Sequence, residues 1–245
     1  MNEVDWVELP LNAALFLVFV LACLLQPVRC SGQSPESDPV EPTVQPADSN
    51  STIYYKHRLD FSWETGVLFD NIPFVLDPLL GDKWKTNPLP YTLVPFISSL
   101  RWQLDRVRGP GFLRGYTDLD VGGTFTAITR GPESRYIAFV TGLRRNFVRP
   151  NWKTMPYLEL RGGVGDVDAK GPQGIKYAQG EALTFTFISS GGVRYNFSSE
   201  SSFSAGIAYM HISNAYLSGP KAYNFGINVF GPSIGVNFRL KPPPH

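Results

Sequence analysis

Cysteine is nearly absent. The 245-residue chain has two, Cys23 and Cys30, and both fall in its first thirty residues. A chain cleaved beyond Cys30 carries no thiol, which excludes a disulfide framework and a cysteine-ligated metal site. Charge of one sign is also missing: 22 Lys and Arg against 21 Asp and Glu leave a net +1. No bulk basic surface therefore argues for nucleic acid. Histidine is scarce, with three in all, at His57, His211 and His245. Long helical apolar patterns are lacking too. Short aromatic-rich runs with frequent Gly and Pro take their place, which points to an all-β protein.

The chain divides by composition. The apolar run "LNAALFLVFVLACLL" has signal-peptide length, and "QPVRCSG" follows it. Residues 1–30 are expected to be a signal peptide, cleaved near Cys30 rather than processed as a lipoprotein at Cys23. The head of this segment is unusual in carrying Glu3, Asp5 and Glu8 without Lys or Arg. Residues 31–53 are rich in Pro, Ser, Asp and Glu and cannot bury enough apolar surface to offset ordering entropy, so a disordered linker is expected there. Residues 54–240 form the folded part, and 241–245 a tail.

The folded part reads as eight runs with period two. In "RLDFSWETGVLF", Leu59, Phe61, Trp63, Val67 and Phe69 alternate with Arg58, Asp60, Ser62, Glu64 and Gly66. In "LVPFISSLRWQL", Phe96, Leu100 and Trp102 oppose Ser99, Arg101 and Gln103. The other six behave alike, ending with "INVFGPSIGVNFRL". Most runs have ten or more residues, longer than the usual five or six of a sheet strand and matched to the nine to eleven that cross a bilayer. The second face is small plus charged, with Arg101, Asp120, Arg144, Glu159 and Arg161 among its members. A lipocalin-like or sandwich fold would alternate in the same way with its apolar face inward. The leader, the cysteine-free folded part and the even run count favour the opposite sense: an eight-stranded antiparallel transmembrane β-barrel in the bacterial outer membrane, apolar outside and polar within.

With a periplasmic N-terminus, external loops are expected near 70–92, 129–134, 166–180 and 214–225. Periplasmic turns are expected near 105–112, 147–155 and 198–202. His211 and Ser213 then end the seventh strand at its outer rim, on the lipid side with Ile207 and Tyr209, because residues two apart share a face. Taken singly, the histidine is an interfacial polar residue and the serine a loop start. As a pair they are about 6.6 Å apart along the strand, a span their side chains can bridge. Ser213 would attack an ester carbonyl, His211 would take its proton, and Asn214 with backbone N–H groups would hold the oxyanion. His57 lies at the opposite rim.

"HISNAYL" resembles the His-x-Ser-Asn-Ala segment of the outer-membrane lipid A 3-O-deacylases, the PagL-like acyloxyacyl hydrolase family. Looser similarity runs through "DFSWETGVLF", "SRYIAFVTGLRRNF" and "PYLELRGGVGD", over about residues 54–240. The resemblance implies an eight-stranded barrel with a site facing the outer leaflet. It implies a serine esterase that removes the ester-linked 3-O-acyl chain of lipid A, with a Ser–His–Glu triad and without metal or other cofactor. His211, Ser213 and Asn214 match the family's segment. The glutamate does not carry over: the corresponding segment resembles "NFGIN", with Ile227 where the acid is expected. Asn228 and Glu181 are the candidate third members. The partners implied are lipid A and the membrane, with a homodimer as a further expectation. The alternative function is a catalytically weak or inactive small barrel with a structural, adhesive or lipid-binding role, and Ile227 is its main support.

Overall fold

The computed structural model describes residues 53–74, 86–215 and 226–240. The expected signal peptide, nearly all of the linker and the tail lie outside the described residues. Eight strands follow one another in chain order. The first, β1, comes in two pieces, Leu59–Gly66 and Phe69–Asn71. The others are β2 (Thr92–Gln103), β3 (Gly115–Arg130), β4 (Arg135–Phe147), β5 (Thr154–Val167), β6 (Leu183–Asn196), β7 (Ser201–Ser213) and β8 (Ile227–Arg239). Each pairs antiparallel with its neighbours, and β1 also pairs with β8, from Asp60 opposite Arg239 to Gly66 opposite Ser233. The sheet closes on itself, leaving no edge with unpaired backbone groups for lipid to meet.

The interruption in β1 has a local cause. Val67 stands beside Pro232 of β8 and donates its N–H to the proline carbonyl at 3.2 Å. Proline has no N–H to return, so the ladder is broken there. It resumes in the same register, with Phe69 opposite Phe230.

Alternation fixes the polarity of the wall. Outward side chains are apolar and exposed, Leu158 at 57% and Ile207 at 62%, with Trp63, Leu100, Phe125, Phe139 and Phe238 alongside. The inward arginines are fully covered, Arg101 at 1% and Arg144 at 0%. A soluble barrel or sandwich would show the reverse. Apolar surface faces lipid, and the charges sit in the lumen.

Those charges neutralise one another. Glu64 contacts Arg101 at 2.8 Å and Arg144 at 2.7 Å, and also pairs with Arg161. Glu159 lies 2.9 Å from Arg144 and 2.8 Å from Arg161. Asp120 lies 2.8 Å from Arg101 and 3.2 Å from Arg161. Ser99 and Ser190 donate to Asp120 and Glu159. Nearer the short turns, Asp60 pairs with Arg58 and, at 3.0 Å, with Arg194. Small inward residues make room: a Cβ on Gly142 would meet the Leu160 carbonyl oxygen at 2.0 Å and the Arg161 stem at 2.9 Å.

At the other end, where the loops are longer, the lumen departs from the expected polar filling. Leu68, Leu93, Ile97, Ile128, Val140, Val167, Ile188, Met210, Ile212, Ile227 and Val229 form a buried apolar plug. Many of the inward positions of the strands there are themselves aliphatic, so polar alternation gives way to burial on hydrophobic grounds. The plug closes this end of the barrel behind the histidine and serine.

Removing one member of the charge cluster should be costly. Glu159→Ala leaves Arg144 and Arg161 without a principal carboxylate and should destabilise the barrel by about 3–5 kcal/mol. The measurement is a urea titration of the protein in lipid vesicles. A midpoint equal to that of the unmodified protein would show that water, not the partner carboxylates, solvates these arginines.

Candidate active site

Three strands meet at the site. Tyr209, His211 and Ser213 share the outward face at the loop end of β7. The register sets Asn228 of β8 opposite His211 on one side and Phe187 of β6 opposite it on the other. Ser213 is the last residue of β7, and Ala215 turns the chain away with a φ of 49°. Asn214, between them, is fully buried.

The imidazole bridges two side chains. His211 Nδ1 lies 2.6 Å from Asn228 Oδ1, and Nε2 lies 2.9 Å from Ser213 Oγ. An amide oxygen can only accept, so Nδ1 carries the hydrogen and Nε2 offers its lone pair to the serine hydroxyl. That tautomer is the one a general base needs. Asn228 Oδ1 also accepts from the Tyr209 hydroxyl at 2.8 Å.

Aromatic rings enclose the histidine on the lipid side. Phe74 lies face to face on the imidazole, ring centroids 3.8 Å apart and planes 14° from parallel. Phe187 packs edge-on against both Phe74 and Tyr209. The imidazole is therefore half-buried although it projects from the outer wall. Thr186 donates its hydroxyl to the His211 carbonyl at 2.8 Å, holding the strand beneath the ring. Asn87, in the chain between β1 and β2, donates to the Gly226 carbonyl at 2.9 Å and ties that segment to the start of β8.

The structure brings together His211, Ser213 and Asn228. Ile227 lies away from the imidazole. It was expected where the family's acid stands, but it points into the apolar plug, fully buried, on the opposite side of β8 from His211. The residue facing Nδ1 is Asn228, an amide rather than an acid. Glu181 is exposed, four positions before Phe185, the strand partner of Ser213, and Nδ1 is already engaged by Asn228. His57 lies against the Trp102 ring at the turn end, the two planes tilted by 35°. Lys170 lies 3.4 Å from Asp168, and Lys176 sits over the Tyr177 ring, while Lys83, Lys85 and Lys221 lie outside the described residues. Among the described residues, no group of three or more His, Cys, Asp or Glu side chains could hold a metal ion.

Sequence reasoning missed Phe74, Asn87 and Gly226 as parts of this site. Only Gly226 had a local signal, as the glycine of "NFGIN" just ahead of a strand.

The family model of lipid A 3-O-deacylase (PagL) matches residues 99–237, which is more than half of the chain and includes the histidine, the serine and the asparagine. The chain belongs to that family. It is an outer-membrane ester hydrolase of the lipid A 3-O-deacylase type. Among solved structures, the outer-membrane enzyme PagL is similar at 17% identity, with 73% of this chain and 98% of that one covered and a TM-score of 0.48. Neisserial surface protein A is similar at 12% identity, over 75% of this chain and 97% of that one, with a TM-score of 0.45. Ail, the attachment invasion locus protein of Yersinia pestis, is similar at 10% identity, over 76% and 100%, with a TM-score of 0.39. No curated protein matches the chain.

Gly226 gives the deacylase a sensitive point. Its φ is +65°, and a Cβ there would sit 2.9 Å from His211 Cε1. Gly226→Ala should displace the imidazole by a fraction of an ångström to an ångström, a misplacement that costs up to about a hundredfold in rate. Mass spectrometry of lipid A exposed to the variant should show slow deacylation, while heat-dependent electrophoretic mobility shows a folded barrel. Unimpaired deacylation would mean that the ring tolerates the added methyl.

Proposed function

We propose that Ser213, His211 and Asn228 form the hydrolytic triad that removes the 3-O-acyl chain of lipid A. The observation that carries this is the imidazole held between the Asn228 amide oxygen and the Ser213 hydroxyl, with the correct nitrogen facing each. Ser213 Oγ attacks the ester carbonyl as its proton passes to His211 Nε2. Backbone N–H groups at the end of β7, that of Asn214 among them, hold the oxyanion that develops. On collapse, the Nε2 proton goes to the departing sugar oxygen, which leaves as the 3-hydroxyl, and the acyl group stays on Ser213. Water then attacks the acyl-serine with the same histidine as base, releasing the fatty acid and restoring the hydroxyl.

Asn228 is neutral. It holds the tautomer and the ring orientation but offers no full charge to the imidazolium that forms. A Ser–His–Asn arrangement keeps the geometric contribution of a triad and gives up part of its electrostatic one.

The position on the outer wall supports a membrane-embedded substrate. An ester at the acyl–sugar boundary of a lipid in the same leaflet reaches the rim of the barrel without leaving the bilayer, and Phe74, Phe187 and Tyr209 offer apolar surface to its chain. The longer loops at this end favour an external orientation. The same reading takes residues 1–30 as a cleaved signal peptide, 31–53 as a disordered linker and 241–245 as a tail. The expected homodimer has no interaction among the described residues behind it. Glu181 is the weaker candidate for third member, because another group occupies Nδ1.

The test is deacylation of lipid A by the purified protein in detergent micelles. Ser213→Ala and His211→Ala should abolish release of the 3-O-acyl chain. Asn228→Ala should lower the rate by about a hundredfold, the scale of a misoriented base. Full activity in Ser213→Ala would sink the assignment.

A further inference from the structure

A carboxylate as third triad member presents an acceptor whichever way it is turned. An amide does not. Rotating the Asn228 amide by half a turn would exchange Oδ1 for Nδ2 and place a donor against His211 Nδ1. Nδ1 would then have to accept, and the neutral ring would carry its hydrogen on Nε2, pointed at Ser213 Oγ. A single amide flip would thus turn the base into a donor that cannot take the serine proton. An asparagine triad needs something to fix the amide.

We infer that Tyr209 is a positioning residue that locks the Asn228 amide in its productive orientation. This rests on the reading of Asn228 as third triad member. The Tyr209 hydroxyl donates to Asn228 Oδ1 at 2.8 Å, and His211 Nδ1–H donates to the same atom at 2.6 Å. Two donors converge on one oxygen. A flip would set the amide N–H groups against both, and the phenol oxygen, its lone pair partly delocalised into the ring, is a poorer acceptor than donor. The placement follows from the sheet. Tyr209 and His211 lie two apart on one face of β7, and Tyr209 stands opposite Phe230, diagonal to Asn228 on β8. Aromatic side chains reach diagonal neighbours. Tyr209 and Asn228 are both buried, so the bond is shielded from competing water. Phe187 packs edge-on against the Tyr209 ring and supports its orientation.

The experiment compares Tyr209→Phe in two backgrounds, with lipid A in micelles as substrate. In the unmodified enzyme, Tyr209→Phe should lower kcat about five- to tenfold with KM nearly unchanged, the scale of one neutral hydrogen bond. In an Asn228→Asp background the carboxylate has no wrong orientation, so adding Tyr209→Phe should change kcat by less than about twofold. An equal loss in both backgrounds would mean that the hydroxyl acts only through packing, and overturns the inference. So does an unchanged kcat in the unmodified background. Long-range proton–nitrogen NMR of the His211 ring gives a readout independent of Asn228→Asp. The unmodified protein should hold its hydrogen on Nδ1, and Tyr209→Phe should add the Nε2–H form. A ring that stays wholly on Nδ1 overturns the inference even where kcat falls. Failure of the underlying triad looks different: Asn228→Ala would then work at the unmodified rate, whatever Tyr209 does.

Discussion

Lipid offers the backbone no hydrogen-bond partner, and everything in this molecule follows from that constraint. The chain meets it by closing β1 onto β8. A closed sheet has two faces, and the period-two pleat gives each residue to one of them. Hydrocarbon takes the outer face, so the arginines and acids at the middle of the wall turn inward. Inside, an unpaired charge would cost several kcal/mol of desolvation. Hence Arg101, Arg144 and Arg161 are met by Glu64, Asp120 and Glu159, three against three.

The same rule dictates where chemistry can be placed. A reactive polar pair on the outer wall cannot sit at mid-membrane. It is tolerated only where a strand reaches the headgroup region, and His211 and Ser213 occupy the last turn of the pleat on β7. Behind them Met210 and Ile212 face the plug. In front, Phe74 covers one face of the imidazole and Phe187 packs against Phe74. The site is built as a shallow polar patch between two apolar bodies, one internal and one drawn from a loop.

How much of this can be read from residues alone follows from locality. The eight strands are legible because alternation persists over ten or more residues, and a one-residue slip would put charge into lipid. His211 and Ser213 are legible as a pair because they are neighbours on a single strand face. The apolar plug is not, since near the loop end both faces are apolar: Tyr209, Met210 and Ile212 give no alternation to follow. Phe74 is not, since its contact with His211 spans over a hundred residues of chain. The candidate third members, Asn228 and Glu181, are legible as residues but not separable from the sequence. The pleat sends 227 inward and 228 outward, and only the register with β7 sets Asn228 opposite His211.

That single position also explains why an amide is tolerable where a carboxylate is expected. Asn228 is buried beside the plug and beneath aromatic rings, at the edge of hydrocarbon. An ionised carboxylate there would lose most of its hydration, and outside the transient imidazolium it would have no cation beside it. Its desolvation cost of several kcal/mol would weigh against the ground state. A hydrogen-bonded amide avoids most of that cost. The exchange gives up attraction for the imidazolium but keeps orientation, which is what two converging donors on Oδ1 supply.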